Sequence, residues 1–211
     1  MDMSNKSIIV SIYIFAALVI LFSIILCIIF NVPFSNLSKD PISVAKAKPY
    51  IGFVSNVGVM FWSFTTAICF FTASVLPKIN NTSKMRSFIL LAGIISFFLL
   101  IDDFFLFHER VFPKLFHLDE KYLFGFYVIL VAFYLIKFKD RILKSQYLHL
   151  IIALALFTIS ISVDVLIASE FENRHYFEDI PKFFGIIAWF CFHFLVCKNT
   201  LEEIFIKKHA N

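Results

Sequence analysis

Cysteine, glycine, proline and charge are all scarce in this chain, and each scarcity closes off a class of protein. The four cysteines are Cys27, Cys69, Cys191 and Cys197. All sit within or at the ends of apolar runs, and no CxxC or Cys/His spacing links them. Neither a disulfide framework nor a structural zinc site is implied, and small packing residues are the plain reading. Glycine and proline number 5 and 6; no proline interrupts an apolar run, and no linker, low-complexity tract or soluble domain breaks the sequence. Charged residues make up 16% against 60% apolar, well beyond the roughly half that is apolar in a soluble domain. Strand-like alternation is missing, which argues against a β-barrel. The two halves show no repeat, so the inverted-repeat signature of many transporters is missing too.

What remains is a set of long apolar runs. A helix needs about 20 apolar residues to cross the hydrocarbon core. Six runs approach or exceed that: 8–30, 50–76, 87–107, 122–136, 146–168 and 183–196, the fourth and sixth being the shortest. The expectation is an all-α polytopic membrane protein, a six-helix bundle forming one domain over residues 1–211. The first run is too long for a signal-peptide core and no Ala-x-Ala site follows it, so it reads as a retained anchor. Between the first two runs, Ile42–Ala47 is expected to form a short interfacial helix.

Lysine and arginine in short loops set the orientation. With a cytoplasmic N-terminus, the inner side holds Lys6, Lys78, Lys84, Arg86, Lys137, Lys139, Arg141, Lys144, Lys198, Lys207 and Lys208, eleven of the 19 basic residues. Both termini then lie in the cytoplasm, in a bacterial inner membrane. The acids segregate the other way: only Asp2, Asp140, Glu202 and Glu203 of the 15 lie inside. The basic inner rim suits anionic lipid headgroups and requires no nucleic acid. A protein partner on the cytoplasmic side and a homo-oligomer are both compatible with this layout.

The chemistry concentrates in Ile101-Asp102-Asp103-Phe104-Phe105-Leu106-Phe107-His108-Glu109. Ionisable groups at membrane depth are costly unless paired, metal-bound or hydrated, so they mark functional positions by default. At 1.5 Å per residue, Asp102 lies about 24 Å along the third run and Asp164 about 27 Å along the fifth, so each sits about one turn below the outer surface. The sixth run opens with Glu178, Asp179, Ile180, Pro181 and Lys182; Asp179 suits an N-cap and Pro181 a first turn. Helical spacing puts Asp102, Phe105/Leu106 and Glu109 on one face of the third helix. It also aligns Glu178, Lys182, Trp189 and His193 on the sixth, and places Ser160 on the face of Asp164. Tyr127 reaches toward the polar site, and Tyr134 reads as an interfacial anchor. In the second run, Ser55, Ser63, Thr66, Cys69 and Ala73 form a small-residue packing stripe.

Two explanations fit the acids. One is a divalent-metal site with Asp102, Asp103, His108 and Asp164 as inner ligands and catalytic candidates, and Glu109 and Glu178 as outer ligands or proton acceptors. Such a metal would activate water or polarise a lipid carbonyl or phosphoryl group. The other is an ion-pair network in which Lys182, Arg110 and Arg174 neutralise the acids, with Glu178 and Lys182 pairing at i, i+4. His193 reads first as a hydrogen-bonded packing residue. His117, His175, Glu170 and Glu172 carry no sharp assignment.

The pattern Asp102-Asp103-x-Phe105-x-x-His108-Glu109, then Asp164, then Glu178-Asp179-x-x-Lys182 resembles one found in uncharacterised bacterial multi-span membrane proteins. In size and polar cluster the chain also resembles the alkaline ceramidase and adiponectin-receptor-like intramembrane zinc hydrolases. That family needs a late H-x-x-x-H helix, and here His193 stands alone, so membership is not assigned. The leading functional expectation is an outward-facing acidic and histidine pocket for a divalent cation or a small polar, lipid-derived ligand, with a membrane-embedded hydrolase as its enzymatic form. The alternatives are a non-enzymatic sensor, regulator or scaffold subunit, for example in defence or stress response, and an ion- or proton-coupled carrier.

Overall fold

The computed structural model describes residues 3–76, 80–166 and 174–209. Asp2, Lys78, Glu170, Glu172 and the end of the fifth run, Ile167–Ala168, lie outside the described residues, as do the side chains of Lys6, Lys207 and Lys208. Every regular element among the described residues is helical. Six long helices appear: α1 (Met3–Phe30), α2 (Phe53–Val75), α3 (Asn80–Phe105), α4 (Lys121–Lys137), α5 (Leu148–Leu166) and α6 (Arg174–His209). Five of them are long and apolar enough to cross a membrane, and α4 is not among these. It has 17 residues, about 26 Å of helix, slightly short of a hydrocarbon core of about 30 Å. The chain is thus an all-helical, membrane-associated protein with five clear candidate spans.

Two compact units divide it, Met1–Phe53 and Val54–Asn211. In the first, α1 leads through a backward turn at Asn31 (φ 50°) into helical turns at Phe34–Ser38 and Pro41–Val44. Asp40 caps the second of these, accepting from the backbone N–H groups of Ile42 (2.8 Å) and Ser43 (3.1 Å). A proline at the next position, whose missing N–H costs nothing there, completes the start signal. The expected interfacial helix therefore begins one residue early and ends at Val44.

In the second unit α6 packs mainly along α5 and also touches α3, while α3 touches α4. Side chains recurring every three or four residues build the seams. On α2 the buried face is Gly58, Trp62, Thr65, Thr66, Cys69, Thr72 and Ala73; Ser55, placed on the stripe by spacing, is exposed. Two glycines permit close approach. A Cβ at Gly93 of α3 would meet Phe70 and Cys69 of α2 at 2.9–3.0 Å, and one at Gly185 of α6 would meet the Phe157 ring of α5 at 2.8 Å.

Two helix boundaries that differ from the sequence reading bear on the polar residues. The sixth helix starts at Arg174, so Pro181 lies inside it and Asp179 is exposed on its surface rather than capping it. Proline inside a membrane helix is tolerated where neighbouring groups satisfy the freed carbonyl. The third helix stops at Phe105. Leu106 takes a left-handed conformation (φ 52°, ψ 46°), and a π-helical turn follows over Phe107–Val111. Both Arg110 and Val111 donate to the Leu106 carbonyl, at 2.9 and 3.4 Å. Asp102 and Glu109 consequently do not continue one helical face.

A charged cavity as the candidate functional site

The reversal at Leu106 has a chemical result. It turns His108 back onto Asp102, so one carboxylate accepts twice from one residue. The His108 backbone N–H donates to Asp102 Oδ1 at 2.9 Å, and its Nδ1 lies 2.7 Å from Oδ2. On the other side of the ring, Nε2 is 3.6 Å from Glu109 Oε1. Both Asp102 and His108 are buried. Burial opposes a charged imidazole, but the hydrogen bond and charge of Asp102 outweigh it, and the His108 pKa is held above its ordinary value.

Asp103 faces the other way, into α2 and α6. Its Oδ1 accepts from Lys182 Nζ and its Oδ2 from the Trp62 indole N–H, both at 2.8 Å. Asp164 binds Arg174, which also donates to the Asp164 backbone carbonyl at 3.1 Å. The Nε of the same guanidinium lies 3.4 Å from Glu178 Oε2. That contact is an ion pair without hydrogen-bond geometry, and it leaves the buried Nε unsatisfied. Lys182 and Glu178, expected to pair with each other, each pair elsewhere. Among the described residues Arg110 makes no ion pair.

These groups meet at a cavity of about 310 Å³. Asp102, Asp103, His108, Asp164, Glu178 and Lys182 all line it, with Tyr127, Thr158 and Ser160. The rest of the wall is apolar, including Leu99, Val131, Leu135, Leu154 and Ile161, with the rings of Trp62, Phe124, Phe157 and Trp189. Glu109 and His193 are not among the lining residues. Glu120, at the start of α4, sits near the same charges; burial and then the Asp164 carboxylate push its pKa up.

Asp102, Asp103 and His108 can each offer a ligand atom, with all three atoms within 4.8 Å of one another, so the cluster is able to hold a metal ion. Its oxygen and nitrogen donors suit manganese, iron or zinc. Every carboxylate oxygen of the two aspartates already accepts from a protein donor. Each of these oxygens keeps a second lone pair, so a metal would share them with Lys182, Trp62 or His108, or displace one of these donors.

His193 occupies a separate, closed layer. Its Nδ1 lies 2.8 Å from the Trp189 carbonyl, which can only accept, and its Nε2 lies 3.3 Å from the Tyr134 hydroxyl. The neutral tautomer with its proton on Nδ1 satisfies both contacts. The Trp189 indole N–H donates to Ser96 Oγ at 3.0 Å, and Ser96 donates to the Ala92 carbonyl at 2.9 Å. Tyr134 is fully buried, stacked on Phe88 at 5.3 Å. It is a core residue, not the interfacial anchor that its position suggested.

A family model described as a domain of unknown function, DUF8692, matches residues 11–196, a stretch that contains the whole cavity lining. The chain belongs to the DUF8692 family. No curated protein and no solved structure matches it. In this DUF8692 chain, sequence reasoning missed Trp62, whose indole N–H completes Asp103. The available signal was a tryptophan on the small-residue face of α2, since a buried indole N–H seeks a partner.

Proposed function

We propose that this DUF8692 protein is a six-span inner-membrane protein with both termini cytoplasmic, whose outward-facing cavity binds a small, polar-headed, lipid-derived ligand. The observation that carries the reading is the cavity's composition. An apolar wall suited to a hydrocarbon tail meets an end where Asp102, Asp103, His108, Asp164, Glu178 and Lys182 converge. Binding sites are mostly apolar hollows with a few converging polar groups, and membrane proteins do not retain ionisable groups at depth cheaply. In this reading α4 is the sixth span, short enough that its ends snorkel or the bilayer thins around it.

A divalent cation fits the same end, with Asp102, Asp103 and His108 as ligands. When bound, it would supply Lewis-acid activation of water or of a lipid carbonyl or phosphoryl oxygen. Lipid hydrolysis is the enzymatic form of the proposal. Elemental analysis and native lipid mass spectrometry of the purified protein test it, with Asp102→Asn and Asp164→Asn as controls. Bound metal or a co-purifying lipid, lost in these variants, supports the site. If neither is found and both variants match the parent in a cellular assay, the site reading fails.

A second reading has its own observation. Asp102, Asp103 and Asp164 each already have a basic partner, as in a purely structural network. The 36-residue α6, roughly 54 Å long, also outruns any bilayer. Its far end carries the Lys198–Glu202 pair and exposed Ile206. A sensor or scaffold subunit would use that extension to bind a cytoplasmic partner. Co-purification of a soluble protein, abolished by trimming residues 198–211, favours this reading.

A further inference from the structure

We infer that the headgroup taken by the cavity is an organic ammonium, seated between Asp164 and Glu178, on an amphiphile whose tail lies along the apolar wall. The inference rests on the pocket reading above and adds the chemical class of the ligand.

Charge accounting at the cavity gives the sign. Four carboxylates line it against one lysine and one histidine. Asp102 is occupied by His108 through both oxygens, and Asp103 by Lys182 and Trp62. Asp164 and Glu178, by contrast, share the single guanidinium of Arg174, their only ion-pair partner among the described residues. Arg174 spends its Nη2 on the side chain and the backbone carbonyl of Asp164, and meets Glu178 only loosely at 3.4 Å. Among the described residues, two carboxylates on one cation leave one negative charge in surplus at this end. The Glu178 side chain is 23% exposed, so this charge is partly withdrawn from water; such a charge gains from a partner, and a ligand cation supplies it. An anionic headgroup would meet the opposite: four acids, and a lysine already bound to Asp103.

The surrounding wall suits the same class. Trp62, Phe124, Tyr127 and Phe157 line the cavity, and aromatic faces favour ammonium groups, quaternary ones most of all. At about 310 Å³ the space is at the low end of the roughly 300–1,000 Å³ usual for ligand sites, which suits a single-tailed amphiphile.

The two tryptophans of the chain, Trp62 and Trp189, both line this cavity, so intrinsic fluorescence reports its occupancy. The experiment titrates full-length protein in nanodiscs with dodecyltrimethylammonium, dodecyl sulfate and dodecanol. Parallel titrations use Asp164→Asn and Glu178→Gln in the same nanodiscs, which cancels partitioning into the bilayer. The ammonium compound should bind about tenfold more tightly than dodecanol, and each variant should lose most of that margin, the size of one charge-assisted contact. Nanodiscs of phosphatidylglycerol and of phosphatidylcholine separate a free amine from a lipid headgroup. A response in the former and a saturated signal in the latter mean that choline lipids themselves occupy the seat. A response in both means a free amphiphilic amine. Equal binding of all three compounds, or preference for the sulfate, overturns the ammonium assignment while leaving the pocket standing. If no compound alters the fluorescence and no lipid co-purifies, the pocket reading falls with it.

Discussion

His108 and His193 sit in two polar layers of the same helical unit, and their surroundings could hardly differ more. His108 lies between two carboxylates, 2.7 Å from Asp102 and 3.6 Å from Glu109, at the edge of an open cavity. His193 lies between a phenol and a backbone carbonyl, with Trp189 and Phe192 around it. The first layer is built from full charges that balance only in part. The second is built from neutral dipoles arranged donor to acceptor, Tyr134 to His193 to Trp189 and Trp189 to Ser96. A low-dielectric interior rewards a completed neutral chain and penalises any unpaired member. It makes charged clusters costly unless their members are paired.

Breaking the neutral layer should have the largest effect on stability. His193→Ala removes a side chain that is 1% exposed and strands the Tyr134 hydroxyl. A loss of roughly 3–5 kcal/mol is expected from the combined cavity and lost hydrogen bonds, read as a shift in mixed-micelle denaturation. Tyr134→Phe should cost only about 1 kcal/mol, since the ring stays packed. Ligand binding at the cavity should be unchanged in Tyr134→Phe. A large loss of binding there would merge the two layers into one system and end the comparison.

Next in size is the Asp103–Lys182 pair. Asp103→Leu strands the Trp62 N–H and takes away the close partner of Lys182, leaving its ammonium only the more distant carboxylates of the cavity. About 2 kcal/mol is expected, below the roughly 3–5 typical of a broken buried pair because the Lys182 side chain is 36% exposed. Adding Lys182→Met should restore much of the loss. A double variant no better than the single one would show that the pair contributes through more than mutual neutralisation.

The sequence made the long apolar helices legible, because apolar length is a strong and local signal; α2, α4 and α5 lie within three residues of their expected limits. That Asp102, Asp103 and Asp164 line one cavity agrees with counting residues along the third and fifth helices. What escaped was local backbone behaviour. Nothing in Phe105-Leu106-Phe107 marks a left-handed residue, since leucine has no special tolerance for positive φ. Helical spacing therefore carried Glu109 onto the Asp102 face, where the chain instead brings His108. At Pro181 a proline read as a helix start lies one-fifth of the way into a long helix, because membrane packing tolerates what water would not. Pairing across helices escaped as well. Arg174 had two acids in reach and Lys182 had Glu178 one turn before it, and only the packing of α5, α3 and α6 decides that Arg174 takes both acids while Lys182 crosses to Asp103.

The smallest predicted effect is a pH slope. The folded-state pKa of His108 is raised above its unfolded value of 6.5. Protonated His108 is therefore favoured by folding, and its pairing with Asp102 contributes fully below pH 6.5. That contribution fades as pH rises through the folded value. Denaturation midpoints measured from about pH 5 to about pH 9 should thus decline on the alkaline side of neutrality. His108→Asn should flatten this part of the profile, because the titrating group is gone. Tyr134→Phe should keep the slope and lower the whole curve, because it disturbs only the neutral layer. A slope that persists in His108→Asn would mean that another group at the cavity carries the titration, and Glu120, raised by burial and by Asp164, is the first to substitute. Both raised groups give a slope of the same sign, so the pH at which the decline begins tells them apart: from the unfolded carboxyl value of 4.5 for Glu120 and from 6.5 for His108.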